Sequence, residues 1–129
     1  MGELRTFEDL EAWQACRAFR ILATRKVVPE LVEKKEFDLA DQLKRSARST
    51  TANIAEGYGR FHYRDNYRFC SNARGSLCES LDHLIAASDE DLITTEQLEE
   101  ARDLFNHALK VLNGYMAYLK RTASDPNNQ

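Results

Sequence analysis

Proline and glycine are scarce. Of 129 residues, only Pro29, Pro126 and five glycines belong to these two types. Both lose most on entering a helix, so their scarcity removes the usual punctuation of a loop-rich or all-β chain. No stretch approaches the roughly 20 apolar residues of a membrane-spanning helix. No apolar run follows a basic start either, so the chain is expected to be cytoplasmic, with no membrane partner. The three cysteines, Cys16, Cys70 and Cys78, are an odd number in no zinc spacing. They read as buried free thiols rather than a disulfide framework.

Signatures of catalysis are equally sparse. There is no Gly-x-Ser-x-Gly elbow, no phosphate-cradling glycine loop and no His-Glu-x-x-His. Helical bundles that hold two metal ions use inward Glu-x-x-His pairs, and this chain has none. Glu79 with His83, and Asp103 with His107, stand four apart and fit surface pairs better than ligands. The sequence therefore predicts a non-enzymatic protein with no catalytic residues, no cofactor and no metal.

What remains is helical periodicity in a chain of one-domain size. A first helix over about 8–27 carries Ala12, Cys16, Phe19, Ala23 and Val27, with Ala15 and Leu22 beside them. Pro29 should end it near Val28. A second, over about 36–56, carries Leu39, Leu43, Ala47, Thr50 and Ile54, and its later half is rich in small residues. Gly57 is expected as a left-handed cap, with Gly59 a further break. A third, over about 63–88, carries Cys70, Ala73, Leu77, Ser80, Leu81, Leu84 and Ser88. Gly75 lies within it and is expected to abut the small-residue half of the second helix. A fourth, capped by Thr94 or Thr95 and running to about 121, carries Leu98, Ala101, Phe105, Ala108, Leu112, Tyr115, Met116 and Leu119. Short connections give an all-α, antiparallel up-down-up-down four-helix bundle. It forms one domain over 1–123 with a polar tail over 124–129.

Net charge is −3, but it is unevenly placed. Between Asp41 and Gly75 there are seven Lys/Arg against three Asp/Glu; from Ser76 onward there are four against ten. The basic set is Lys44, Arg45, Arg48, Arg60, Arg64, Arg68 and Arg74. Around Arg60 the basic residues interleave with Tyr58, Phe61, His62, Tyr63, Tyr67 and Phe69. Arginines grip phosphates and aromatics stack on unpaired bases, so this stretch is the candidate nucleic-acid surface. Asn53, Glu56 and Arg60 are expected to lock the helix junction, with Arg60 or Arg45 facing the Glu56 carboxylate. Trp13 and Tyr118 read as exposed aromatics suited to self-association.

Several blocks resemble one family. They are Phe7-Glu-Asp-Leu-Glu-Ala-Trp-Gln14, Leu39-x-x-Gln-Leu-x-Arg-Ser-Ala47, Ser49-x-x-Ala-Asn-Ile-Ala-Glu-Gly-x-Gly-Arg60 and Ala73-x-Gly-Ser-Leu-x-Glu79. Together they resemble the four-helix-bundle family first named for open reading frames in intervening sequences of large-subunit ribosomal RNA genes. That family includes the accessory variability-determinant proteins of diversity-generating retroelements. The resemblance implies an antiparallel bundle assembled as a homopentamer, with a basic surface for RNA or DNA in the retroelement members and a reverse transcriptase as protein partner. Those members are basic and this chain is acidic, so nucleic-acid binding here needs a segregated basic face. The other reading is a structural or protein-interaction scaffold that uses the acidic rear half.

Overall fold

The apolar stripes become the buried faces. Ala12, Cys16, Phe19, Ala23 and Val27 on the first helix pack against Leu43, Ala47 and Ile54 on the second. Cys70, Ala73, Leu77 and Leu84 on the third join them, as do Ala101, Ala108, Leu112 and Leu119 on the fourth. Phe19 meets Phe105 edge to face across the centre, with ring centroids 6.3 Å apart. The many alanines let the helices approach closely. The computed structural model describes residues 5–128. Among these are four long helices and no strand. The first four residues of the expected domain and Gln129 of the expected tail lie outside the described residues. The second helix is Phe37–Tyr58, the third Tyr63–Asp89 and the fourth Thr95–Ser124, followed by a single turn, Pro126–Asn128.

The first helix corrects the expectation at Pro29. It runs as α-helix over Glu11–Ile21, widens into a π-helix over Leu22–Val27 and resumes as α-helix over Val28–Glu33. Proline breaks a regular helix because it lacks an N–H and crowds the carbonyl four residues back. In the wide turn the Val28 N–H already reaches back five residues, to the Ala23 carbonyl. Pro29 thus stands at the start of a fresh α-segment, where its missing donor is tolerated. Upstream, Thr6 and Asp9 form a capping box on the short turn Phe7–Asp9.

The connections are short and set by backbone chemistry. Lys35 (φ 63°) and Asp91 (φ 58°) adopt the left-handed conformation after the first and third helices. The next N–H reaches back five residues each time, Glu36 to Leu31 and Leu92 to Ala87, both at 2.8 Å. This closes the exposed helix ends without glycine. Thr94 caps the fourth helix, accepting from the Gln97 N–H at 3.1 Å while its own N–H donates to Gln97 Oε1 at 2.7 Å. Gln97 Nε2 also donates to Glu30 Oε1 at 2.9 Å. The start of the fourth helix therefore sits beside the end of the first, and Asn66 near the start of the third bonds Tyr115 near the end of the fourth. Those ties are what antiparallel neighbours produce.

The second and third helices share a polar seam. Ser46 and Ser80 hydroxyls lie 2.7 Å apart, and those of Ser49 and Ser76 lie 3.0 Å apart. Thr50 turns its hydroxyl to the Ser46 carbonyl at 3.1 Å. Small side chains do bring these backbones together, but Gly75 is not among them. It is exposed, and a Cβ built on it meets nothing within 4 Å. Gly75→Ala should therefore stabilise the protein by roughly 0.5–1 kcal/mol, the helix-propensity difference. Thermal unfolding would show it, and a lower melting temperature would mean that something outside the chain packs on this position.

Candidate nucleic-acid interface

The second and third helices meet at a tight junction. A Cβ on Gly57 would lie 2.7 Å from Asn66 Oδ1 and 2.9 Å from Phe69 Cβ. Gly57 is therefore needed for close approach inside the helix, not as a left-handed cap, and no described glycine has a positive φ. Gly59 is the helix end, at φ −75°. Buried Asn66 holds the junction from the other side. Its Nδ2 donates to the Tyr115 hydroxyl at 2.9 Å, and its Oδ1 accepts from Cys70 Sγ at 3.5 Å. Burial pushes the Tyr115 hydroxyl up to about 12. Sequence spacing did not single out Asn66, since a polar residue on an apolar stripe shows its role only once its partner is placed.

Asn53 does not reach the junction. Its Nδ2 donates back one turn, to the Ser49 carbonyl at 2.8 Å and Ser49 Oγ at 3.0 Å. Glu56 does meet Arg60, at 3.2 Å, whereas Arg45 pairs with Asp41 instead.

The turn after Gly59 displays cations and aromatic rings together. The Arg60 and Arg68 guanidiniums lie over the Phe69 ring, 4.7 Å and 5.0 Å from its centroid. Such stacking fixes long side chains that would otherwise sample many rotamers. Arg68 also stands 3.7 Å from Asp65. Arg64 is exposed and has no ion-pair partner among the described residues. Phe61 is 95% exposed, its ring meeting His62 edge to face at 5.1 Å. Just before it in the chain, Ala52, Ala55, Glu56, Gly59 and Arg60 line an open depression.

The seven basic residues do not form one patch. Arg60, Arg64 and Arg68 collect at the junction. Lys44, Arg45 and Arg48 lie on the second helix well before it, with Arg48 twelve residues from Arg60, about 18 Å at helical rise. Arg74 donates to Asn113 Oδ1 on the fourth helix at 2.8 Å, on the far side of the third helix. Two arginines that spacing did not mark, Arg17 and Arg20, join Arg48 instead. Burial first, then the charges of Arg17 and Arg48, hold the Arg20 guanidinium below its ordinary pKa.

Other expectations resolve individually. Cys16 and Cys70 are buried but Cys78 is exposed. Trp13 is half-buried, stacked edge to face on Phe7 at 5.3 Å, while Tyr118 is indeed exposed. His83 bonds Glu79 at 3.1 Å. Among the described residues no three His, Cys, Asp or Glu side chains converge as metal ligands. None of the described helices is long and apolar enough to cross a membrane.

Fold and site together define a helical bundle whose exposed cations and aromatic rings gather at an inter-helix turn. Residues 8–114 match the model of the 23S rRNA-intervening sequence protein family, and the chain belongs to that family. No curated protein matches the chain. The matched span covers the first three helices and most of the fourth, including the whole junction.

Proposed function

We propose that this protein is a non-enzymatic, homo-oligomeric accessory factor that binds RNA through the turn between its second and third helices. The observation that carries the reading is Phe61, 95% exposed in the turn that leads from Arg60 to Arg64. Exposing a phenyl ring to water is unfavourable, by about 25 cal/mol for each Å² left uncovered. An exposed ring in a turn that also carries guanidiniums suits a ligand with a flat apolar face and an anionic backbone, which describes an unpaired nucleotide. Membership of a family named for rRNA intervening sequences supports RNA as the ligand class. By the same reading the assembly is a pentamer in the cytoplasm.

Binding of labelled single-stranded RNA across ionic strength tests this, with oligomer size checked in the same buffers. Affinity should fall steeply from about 50 to 200 mM salt. Phe61→Ala should weaken it roughly tenfold through lost stacking. Arg64→Gln should weaken it and shallow the salt dependence by about 0.7 for the lost phosphate contact. Neither side chain is needed for the fold. No binding at low salt with the oligomer intact would overturn the reading and leave the scaffold role, through the acidic rear half, in front.

A further inference from the structure

Arg17, Arg20 and Arg48 make a cationic group that the junction does not use. Arg20 Nη1 donates to Thr51 Oγ1 at 2.7 Å, which places residue 20 of the first helix beside residue 51 of the second. The two helices are antiparallel, so this bond sets their register. Arg48 then lies about 4.5 Å along the axis from Arg20 on one side, and Arg17 about 4.5 Å on the other. Arg17 is steadied by Trp13, whose indole centroid is 5.8 Å from its guanidinium. Among the described residues no carboxylate pairs with any of the three, although Asp41, Glu56, Asp65 and Glu100 all pair with other cations. Like charges held together without a counter-charge repel, so an arriving anion relieves the fold as well as binding to it.

The second helix supplies a path from this group to the junction. Arg48, Ala52, Ala55 and Gly59 step by four, three and four, so they share one face. The last three have little or no side chain, and they line the open depression with Glu56 and Arg60. The lane has Arg48 at one end and Arg60 at the other, about 18 Å away. Arg20 and Arg17 flank it from the first helix. Glu56, the acid on its margin, is already engaged by Arg60 at 3.2 Å.

We propose that this lane holds the backbone phosphates of a single-stranded RNA segment that continues from the base stacked on Phe61, so that Arg17, Arg20 and Arg48 form a second subsite. The inference rests on the RNA-binding reading above and extends it from one turn to the joint surface of the first and second helices. The lane is long enough for several nucleotides, within the range of single-strand sites.

The test uses the full chain and two labelled oligouridine probes, roughly 4 and roughly 12 nucleotides long, spanning the range of single-strand site sizes. The parent should bind the longer probe more tightly and with a steeper salt dependence. The variant Arg17→Gln/Arg48→Gln leaves the Arg20–Thr51 bond in place. It should lower the slope for the longer probe by about 1.4, two phosphate contacts at the single-strand value. On the order of tenfold in affinity should go with it at low salt, while the short probe is bound as before. Phe61→Ala should weaken both probes. If Phe61→Ala weakens both but the double variant binds the longer probe like the parent, the lane is overturned and the junction reading stands. If the parent binds neither probe, both fall. If the double variant changes oligomer size and leaves binding intact, the arginines belong to a subunit contact and the lane is again overturned.

Discussion

Gly57→Val is expected to lower the melting temperature by on the order of 10 °C. The new Cβ would start 2.7 Å from Asn66 Oδ1 and 2.9 Å from Phe69 Cβ, and neither neighbour is free to move. Asn66 is buried and spans Tyr115 and Cys70; Phe69 lies beneath two guanidiniums. Overpacking a closed contact costs about 1–3 kcal/mol. Pushing Asn66 aside also strands the Tyr115 hydroxyl, for about 1–3 kcal/mol more. For a chain of this length each kcal/mol moves the midpoint by roughly 3–5 °C. Replacing Asn66 with Ala in the same chain should recover part of the loss, because the carboxamide is the nearest obstacle. A Gly57→Val midpoint within about 2 °C of the parent would show that the helices can part without penalty.

The second large effect is a loss of stability at high pH. Burial lifts the Cys16 thiol from 9.0 to about 12, with the charge of Cys70 adding to it, and lifts Cys70 likewise to about 12. In the unfolded chain both thiols ionise near 9; in the folded chain they keep their protons to about 12. Across that window the folded state binds more protons, so raising the pH favours unfolding. Their contribution is complete below pH 9 and shrinks steadily above it. Each group contributes a slope of about 1.4 kcal/mol per pH unit, about 3 for the pair. Tyr115, pushed up from 10.0 to about 12 by burial and lowered somewhat by its Asn66 bond, adds in the same direction above pH 10. Set against a typical stability of about 5–15 kcal/mol, this is a large fraction of the total. Urea titrations at stepped pH would show it. A Cys16→Ala/Cys70→Ala chain should be less stable at neutral pH but flatter above pH 9. An unfolding free energy unchanged from pH 9 to 11 in the parent would contradict the burial argument.

The buried stripes were legible because helical period and burial are the same fact seen twice. Phe105, Leu112 and Leu119 fall where a step of seven puts them, and all three are buried. The cap was legible only as Thr94 or Thr95; the reciprocal bonds between Thr94 and Gln97 decide for Thr94. Glycine misled at two positions. Gly57 and Gly75 look alike in the sequence, yet one faces a neighbouring backbone and the other faces open space. That difference lies in what each glycine's helix face packs against, which no local pattern encodes. The basic set failed in the same way. Arg74 shares a segment with Arg64 and Arg68 but turns toward the fourth helix, while Arg17 and Arg20 come from a segment of balanced charge. Charge counted along the chain does not measure charge collected across helices.

The wide turn at Leu22–Val27 acts as a phase adjuster. Lys26 stands three residues after Ala23 and seven after Phe19, both buried, so an unbroken α-helix would aim it at the core. The extra backbone length in the turn delays the rotation. Lys26 then emerges on the opposite flank, where its ammonium meets Glu100 at 3.4 Å, while Val28 and Leu31 swing inward. Local unwinding thus serves as a steering element, turning a lysine away from the interior and toward the fourth helix.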